Sequence, residues 1–290
     1  MPRMRSFLAV DWGTTNRRIY RIEDGRVIAS TRDELGVTAV GDFDAAVADI
    51  RAQLGDLPML LAGMVGSNIG WKLAPYLPVP VDIARLAAGL LWIDARTAIV
   101  PGVCVVAEDH ADVMRGEEMQ LLGAVAAGLV PPDTLIAQPG THCKWAEMRD
   151  GVIVRFTTAM TGELFALLRA HGLLAAQLGG DVTVNTPFLA GVAEARRRDL
   201  TASLFGIRAA GVLGLRDDAD AASYASGLLI GSDVAARLSA FPGDTVHILA
   251  GPELGALYVA AVEAHGRTAI LVDAEAAFIA GILALEGQLS

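Results

Sequence analysis

Apolar and polar positions along the 290-residue chain predict one order of strands and helices that occurs twice. The first half has the order β-β-β-α-β-α-β-α, and seven of these eight elements are located, at residues 6–10, 18–22, 26–30, 42–54, 58–63, 97–106 and 112–127. The second half repeats this order, with elements at residues 134–138, 144–148, 152–157, 163–170, 187–197, 221–238, 245–250, 253–265, 268–272 and 274–285. Hairpin turns at Asp24-Gly25 and Asp150-Gly151 join the early strands of each half. The pattern indicates a duplicated α/β unit.

The length of the chain agrees with two globular domains, since domains average roughly 150 residues. We expect an N-terminal domain at residues 1–126, completed by a C-terminal helix at 274–290, and a C-terminal domain at 127–273. Hydrophobic residues make up 53% of the chain, which is normal for a globular α/β protein. The only cysteines, Cys104 and Cys143, do not have C-x-x-C spacing, so we expect reduced thiols rather than a metal site.

Hydropathy gives no sign of a membrane partner. No uninterrupted apolar run approaches the roughly 20 residues that a membrane helix needs. The apolar stretch at residues 7–10 is too short for a signal peptide and ends at Asp11. We therefore expect a cytoplasmic protein.

The net charge of −10 disfavours a nucleic-acid partner, because nucleic-acid-binding proteins usually present a basic face. An anionic small molecule is still compatible with this charge, since its site needs only a few local cations and backbone N–H groups. The partner that the composition allows is therefore a small molecule, and homodimer formation is left open.

Each half begins with a strand that runs into a Gly-Thr turn. The first is Asp-Trp-Gly-Thr-Thr-Asn at residues 11–16, and the second is Gln-Pro-Gly-Thr-His at 138–142. Such turns offer backbone N–H groups and hydroxyls to phosphate oxygens, and glycine lets the backbone approach closely. The predicted phosphate contacts are Gly13, Thr14, Thr15, Gly140 and Thr141, and Asp11 is the predicted Mg²⁺ ligand. An ordinary hairpin turn is the alternative, and the repetition of the turn argues against it.

A glycine-rich loop at residues 63–71 follows the predicted buried strand at 58–63. Its hydroxyl, amide and indole groups suit a site for a polyol or a carboxylate. The predicted substrate contacts in this loop are Gly66, Ser67, Asn68 and Trp71, although the loop could be a plain connector with a core tryptophan. Two cations join the candidates: Arg18 for the substrate, and Lys144 for phosphate or the substrate carboxylate.

These motifs together resemble the 2-dehydro-3-deoxygalactonokinases over nearly the whole chain. The matching segments occupy residues 11–16, 63–67, 70–71, 114–118, 139–142, 144–145, 160–165 and 251–254. The resemblance implies an actin-like fold: two ribonuclease H-like domains, each with a mixed sheet flanked by helices, and an interdomain cleft. It also implies ATP-dependent phosphorylation of 2-dehydro-3-deoxy-D-galactonate at its 6-hydroxyl in D-galactonate breakdown, with Mg²⁺. The N-terminal domain would bind the sugar acid and the C-terminal domain the nucleotide.

The same resemblance adds two groups of site residues. Actin-like sugar kinases place an acidic residue at the start of the helix before the second turn, where it orients and deprotonates the sugar hydroxyl. Glu117 or Glu118 takes this place here, although acidic residues also favour a first helical turn because of the helix dipole. The strand-turn-helix segment at 249–258 resembles the adenosine-binding turn of the fold, so Gly251 and Leu254 are predicted nucleotide contacts.

The chain departs from the family pattern at Cys143, where serine is expected, and at Arg17, where an apolar residue is expected. Three other functions are considered. The first is a kinase for another 2-keto-3-deoxy sugar acid, and the second is a non-catalytic actin-like ATP sensor. The third is an acyl kinase of the same fold, for which Arg115 is the strongest candidate residue. The P-loop sequence G-x-x-x-x-G-K-[ST] does not occur.

Overall fold

A computed structural model describes residues 5–108 and 110–289 of the chain, so the predicted limits at residues 1 and 290 lie outside it. The described residues fall into two compact units. Unit 1 takes its residues from Met1–Pro132, Met148–Phe156 and Ala274–Ser290, and unit 2 takes them from Asp133–Glu147 and Thr157–Asp273.

Strands and helices alternate along the described residues. The strands are β1 (Ser6–Trp12), β2 (Arg17–Glu23), β3 (Arg26–Asp33), β4 (Met59–Gly63), β5 (Tyr76–Pro78), β6 (Leu91–Asp94), β7 (Thr97–Ile99), β8 (Gly102–Val106), β9 (Ala111–Met114), β10 (Thr134–Gln138), β11 (Cys143–Arg149), β12 (Val152–Ala159), β13 (Thr245–Leu249) and β14 (Thr268–Val272). The α-helices are α1 (Phe43–Leu54), α2 (Ile83–Ala88), α3 (Glu117–Ala126), α4 (Thr161–His171), α5 (Thr186–Glu194), α6 (Leu200–Val212), α7 (Asp218–Leu238), α8 (Pro252–Ala264) and α9 (Ala274–Gly287).

Two sheets share one strand topology. The first has the order β3-β2-β1-β4-β7-β6, and the second has the order β12-β11-β10-β13-β14. Five strands correspond in the two sheets, and β6 is an extra edge strand of the first. The central strands are parallel in both, since β1 pairs with β4 and β4 with β7, while β10 pairs with β13 and β13 with β14. The predicted duplication of an α/β unit is confirmed.

Two predicted elements of the first half are wrong. The helix predicted at 112–127 begins only at Glu117, because Gly116 has a φ of 106°, outside the helical region, and Ala111–Met114 forms a strand. The strand predicted at 97–106 is two strands in different sheets, separated at Pro101, which has no N–H to donate. The later start of α3 places the acidic pair Glu117 and Glu118 in its first turn.

Several elements were not located from the sequence: α2, α6 and the short strands β5, β6 and β9. The strands contain only three or four residues, too few for a period to show. Helix α6 is longer, but Phe205 and Val212 on it are mostly exposed, so its apolar residues do not form a single face.

Close helix pairs stabilise each unit through small residues. In unit 1, a Cβ on Gly123 of α3 would lie 1.9 Å from the Ala277 carbonyl oxygen of α9. A Cβ on Gly281 of α9 would likewise lie 2.1 Å from the Met119 carbonyl oxygen. The two helices can therefore approach only because both positions lack a side chain. Helix α9 thus packs directly behind the helix that carries the acidic pair.

The apolar stretches of the sequence form the hydrophobic cores of the two units. Buried residues of β1, β2, β4 and α1 form one core cluster in unit 1, while β10, β13, α5, α7 and α8 supply another in unit 2. Within the described part of the chain, no helix has both the length and the apolar character needed to span a membrane.

Candidate active site

The first Gly-Thr turn is closed by its own backbone. The Gly13 N–H donates to the Asn16 carbonyl oxygen at 2.9 Å, which links the end of β1 to the start of β2. The side chains of Thr14, Thr15 and Asn16 are exposed. The turn therefore combines a fixed backbone with hydroxyl and amide groups that are open to a ligand.

A second segment, far from the turn in sequence, holds the turn from behind. Val37 N–H donates to the Gly13 carbonyl oxygen at 3.0 Å, and the Thr38 hydroxyl donates to the Thr14 carbonyl oxygen at 2.8 Å. At Gly36, a Cβ would lie 2.4 Å from the Thr14 carbonyl oxygen, so only glycine fits without moving the backbone. The sequence did not predict this support, because the motif at 11–16 contains no signal that residues 36–38 pack behind it.

Arg17 stands where the family pattern has an apolar residue, and its surroundings explain how a charged side chain is buried there. Its Nε donates to the Asp33 carboxylate at 2.9 Å, and its guanidinium lies 5.1 Å from the centroid of the Trp12 ring. The Trp12 indole N–H in turn donates to the Leu35 carbonyl oxygen at 2.8 Å. Arg17 therefore supports the base of the turn, and the ion pair compensates for its burial.

Asp11, Arg18 and Glu117 form one electrostatic group in unit 1. Asp11 on β1 lies directly opposite Arg18 on β2 in the antiparallel pair. Burial raises the pKa of Asp11 to about 6; the Arg18 guanidinium counteracts this, and the Glu117 carboxylate adds to it. A carboxylate pair next to a cation is thus present at the end of β1, where Asp11 is the predicted Mg²⁺ ligand and Arg18 a predicted substrate contact.

Two glycines explain how Glu117 comes close to Asp11. Gly63 ends β4 beside β1 with a φ of 95°, and a Cβ there would lie 2.7 Å from the Trp12 carbonyl oxygen. Gly116 precedes α3 with a φ of 106°, and a Cβ there would lie 3.1 Å from the Cα of Gly63. Both positions combine a left-handed backbone with close packing, which favours glycine strongly. The start of α3 is therefore fixed against the ends of β1 and β4.

The two adjacent glutamates have different surroundings. Glu118 is completely buried, and both of its carboxylate oxygens accept the Gly116 N–H, at 2.9 and 2.7 Å. Glu117 is partly exposed, and its Oε2 accepts the Arg115 backbone N–H at 3.0 Å. Of the two, Glu118 is enclosed as a cap of the helix start, whereas Glu117 has a side accessible to a ligand.

The burial of Glu118 predicts a specific pH dependence of stability. Burial and the neighbouring Glu117 raise the pKa of Glu118 from 4.5 to about 8, against the hydrogen bonds from the backbone and the charge of Arg115. Because the folded-state pKa is raised, the folded state holds this proton more tightly than the unfolded state. Stability is then greatest below about pH 4.5 for this group and is lost as pH rises toward about 8. Glu118→Gln should remove the loss, a difference of about 5 kcal/mol at pH 9.

Urea unfolding of the wild type and Glu118→Gln at pH 5 and pH 9 measures this effect. Other titrating carboxylates are common to both proteins, so the comparison isolates Glu118. Parallel pH dependence in the two proteins would contradict the assignment of a buried, easily protonated carboxyl group.

The glycine-rich loop after β4 is folded inward at its centre. Gly66 and Ser67 are buried, and the Ser67 hydroxyl oxygen accepts the Ile69 N–H at 3.3 Å. Asn68 is exposed, whereas Trp71 is partly buried and packs against the core of unit 1. Of the four predicted substrate contacts, Asn68 therefore presents the most accessible polar side chain.

Arg115 braces this loop from inside unit 1. Its Nη2 donates to the Ala74 carbonyl oxygen at 2.8 Å, and its guanidinium stacks 4.3 Å from the centroid of the Tyr76 ring. A Cβ on Gly66 would lie 2.8 Å from Arg115 Nη1, so the loop packs directly on the guanidinium. Arg115 is 7% exposed. It is placed to hold the loop rather than to meet a phosphate from solvent.

In unit 2, the second Gly-Thr turn contacts the start of α4. Gly140, Thr141 and His142 are exposed, and the Glu163 N–H donates to the Thr141 carbonyl oxygen at 2.8 Å. His142 Nε2 and Glu163 Oε2 lie 2.6 Å apart. The sequence did not reveal this His–Glu pair, since α4 begins about twenty residues after the turn. The positive end of the α4 dipole lies beside the predicted phosphate contacts, which favours an anion there.

Lys144 lies inside unit 2 rather than on its surface. It is 5% exposed, and its Nζ donates to the Thr158 hydroxyl at 2.9 Å. The structure thus places the ammonium group between β11 and β12, while its contact with phosphate or carboxylate stays a prediction.

A cavity of about 260 Å³ lies next to the second turn in unit 2. It is lined by Gly140, Thr161, Gly162, Phe165, Arg169, Val182, Ser226, Leu229, Ile230, Leu254, Leu257 and Tyr258. Leu254 was predicted to contact the nucleotide; Gly251 caps the start of α8 and is exposed. The predominantly apolar walls suit a flat aromatic ring, with the turn at one end for attached phosphates.

Comparisons with known proteins agree on one family. The sequence model of the family described as 2-keto-3-deoxy-galactonokinase matches residues 11–285. A 2-dehydro-3-deoxygalactonokinase from Escherichia coli K12 is 38% identical over 282 residues, which cover 95% of this chain and 96% of that protein. The crystal structure of a candidate 2-dehydro-3-deoxygalactonokinase from Sinorhizobium meliloti has a TM-score of 0.91 and 35% identity. The alignment covers 96% of this chain and 97% of that one.

A more distant structure bears on the fold alone. The activator of 2-hydroxyisocaproyl-CoA dehydratase from Clostridium difficile, solved with bound ADPNP, has a TM-score of 0.50 and 11% identity, with 98% of this chain and 96% of that chain covered. Together with the duplicated sheet order, this likeness confirms the actin-like α/β fold.

Proposed function

Since this chain belongs to the 2-keto-3-deoxy-galactonokinase family, we propose that it transfers a phosphoryl group from ATP to the 6-hydroxyl of 2-dehydro-3-deoxy-D-galactonate. The product, 2-dehydro-3-deoxy-6-phospho-D-galactonate, belongs to D-galactonate breakdown. The observation that carries the proposal is the Asp11–Glu117 carboxylate pair at the end of β1, inside a family match that spans residues 11–285.

We assign the sugar acid to unit 1 and Glu117 the role of general base. Its carboxylate is partly exposed, lies near Asp11 and is held by the Arg115 N–H, so it can accept the proton of a bound hydroxyl. Glu118 is enclosed and serves the helix start instead. Arg18 and Asn68 are the accessible polar groups for the substrate, with Gly66, Ser67 and Trp71 shaping the loop.

We assign the nucleotide to unit 2, with the base in the cavity beside Leu254 and the phosphates at Gly140 and Thr141. The apolar walls, the exposed turn and the start of α4 support this assignment. Gly13, Thr14 and Thr15 form the second set of phosphate contacts in the proposal, because their turn has the same exposed backbone and hydroxyl groups. Gly251 and Lys144 remain predicted contacts.

Magnesium fits the residues at the end of β1. The described residues contain no group of three or more His, Cys, Asp or Glu side chains placed to hold a metal. Mg²⁺ needs no such group, since it is usually held by one or two carboxylates together with substrate phosphates and water. Asp11, with Glu117 nearby, supplies that number of carboxylates. When bound, the ion would neutralise negative charge on the phosphates.

The experiment that tests the function is ADP release by the purified protein with Mg-ATP. The substrates compared are 2-dehydro-3-deoxy-D-galactonate, its gluconate epimer, D-galactonate and none. We expect strong turnover on the first alone. Turnover on the epimer would keep the kinase activity and change the substrate. ATP binding without any stimulated turnover would favour a sensor and overturn the proposal.

A cytoplasmic location remains a prediction from hydropathy, and homodimer formation is still open. Size-exclusion chromatography with light scattering measures the mass in solution directly, against 30.3 kDa for one chain.

A further inference from the structure

Unit 2 buries a carboxyl group that the proposed mechanism does not use. Asp233 lies in the C-terminal half of the long helix α7 and is 8% exposed. Its Oδ2 accepts the Thr161 hydroxyl at 3.0 Å and the Tyr258 hydroxyl at 3.4 Å. Burying a carboxyl group destabilises the folded state unless hydrogen bonds compensate for the lost water. The two hydroxyl donors provide this compensation, so the question is what the buried group does for its partners.

The partners of Asp233 come from separate elements of unit 2. Thr161 begins α4, and Tyr258 lies on α8. Burial raises the pKa of Asp233, and the charge of Arg237 acts in the opposite direction. Asp233 therefore connects α7 with α4 and α8 through one carboxyl group.

Two of these partners belong to the nucleotide cavity. Thr161 and Tyr258 both line it, and both follow the second turn in the sequence. The residue after Thr161 packs on the turn, since a Cβ on Gly162 would lie 2.3 Å from the Gly140 carbonyl oxygen. The next residue, Glu163, donates its N–H to Thr141. A shift of Thr161 is thus transmitted to the phosphate turn, and a shift of Tyr258 to the cavity wall.

We infer that Asp233 is a positioning residue for the nucleotide site, fixing the cavity wall through Tyr258 and the phosphate turn through Thr161. The inference rests on the proposed binding of nucleotide in unit 2. Asp233 is not among the residues that line the cavity, but it bonds to two residues that do. Its removal should weaken ATP binding while leaving the recognition of the sugar acid in unit 1 nearly unchanged.

The test compares Asp233→Asn with Ser232→Ala, a matched change on the same helix. The Ser232 hydroxyl donates only to the Leu228 carbonyl oxygen of its own helix, at 2.7 Å. ATP affinity is measured by calorimetry without sugar acid, and KM values for ATP and sugar acid are measured separately. For Asp233→Asn we expect about tenfold weaker ATP binding and a sugar-acid KM within about twofold of the wild type, since the amide can satisfy only part of the network. Ser232→Ala should match the wild type.

A second pair of variants keeps the test valid if Asp233→Asn does not fold. Thr161→Val removes the hydroxyl with little change in volume, and Thr161→Ser retains it. We expect the valine variant to lose ATP affinity and the serine variant to recover most of it. In the Asp233→Asn background, Thr161→Val should add little, because both changes break the same link.

The outcomes separate this inference from the proposed function. Unchanged ATP affinity in a folded Asp233→Asn or Thr161→Val protein would overturn the role of Asp233. Equal losses for ATP and the sugar acid would also overturn it, since they indicate a general structural effect. If the wild type binds ATP but does not phosphorylate any sugar acid, the proposed function fails, while the ATP affinities still decide the role of Asp233.

Discussion

Glu117→Gln is expected to lower kcat by about 10²–10⁴-fold, the range typical for loss of a positioned general base. The glutamine keeps an oxygen that can accept the Arg115 N–H, so the start of α3 should retain its geometry. Removing the negative charge also takes away one of the causes that raise the pKa of Asp11. Turnover is therefore lost at the proton-transfer step, while binding of ATP, measured by calorimetry, should change little.

Glu118→Gln is the matched control for this experiment. It makes the same chemical change one residue further along α3, at a side chain that is fully buried and bonded to Gly116. We expect its kcat within a few-fold of the wild type and its stability at pH 9 increased. If instead Glu118→Gln abolishes turnover and Glu117→Gln does not, the assignment of the base is reversed. Normal turnover in both variants would remove the base from this helix altogether.

The second large effect is expected from Gly36→Ala, a residue outside every recognised motif. The added methyl would lie 2.4 Å from both the Thr14 carbonyl oxygen and the Thr15 carbonyl carbon. These atoms are backbone, so the first Gly-Thr turn must move by about 1 Å to restore ordinary contact, and a misplacement of that size can lower catalytic efficiency about 10²-fold. The residue's own φ of −64° is allowed for alanine, so the effect comes from contact with the turn.

Gly41→Ala separates this contact from a general effect of glycine replacement. Gly41 lies close by in the chain, and no atom of the described residues lies within 4 Å of the position its Cβ would take. Steady-state kinetics give kcat/KM for both variants, and thermal unfolding shows whether each is folded. Overpacking commonly reduces stability by about 1–3 kcal/mol, so a somewhat lower Tm for Gly36→Ala is expected. Equal kcat/KM for the two variants would show that the turn does not depend on Gly36.

Local patterns were sufficient for much of the fold. The helix predicted at 42–54 agrees with α1, whose N-cap Asp42 accepts the Ala45 N–H through its side chain. The strand at 134–138 agrees with β10, and the strand at 268–272 with β14. Period, capping and turn chemistry all act between residues close in sequence, which is why they can be recognised without coordinates. The helix predicted from residue 112 failed where the local pattern conflicted with Gly116, whose positive φ depends on packing against Gly63.

In the candidate site, too, the position of a polar loop was predicted from the sequence, but the burial of its side chains was not. Gly66 and Ser67 were predicted substrate contacts, because the polar groups of their loop suit a polyol or a carboxylate. The structure buries both residues, with Gly66 packed on Arg115, and leaves Asn68 exposed. A sequence gives the composition of a loop, but which of its side chains face solvent depends on what packs beneath it.

By itself, the sequence determined the duplicated α/β order, the two Gly-Thr turns, the acidic start of α3 and the family. Each of these is a short pattern or an ordered set of short patterns. Only the tertiary structure separated Glu117 from Glu118, since adjacent helical residues point in directions about 100° apart and only packing decides which side is enclosed. It also placed Gly36 behind the first turn and joined Asp233 to Thr161, 72 positions away. Such contacts depend on how elements pack in three dimensions, which no local period or motif records.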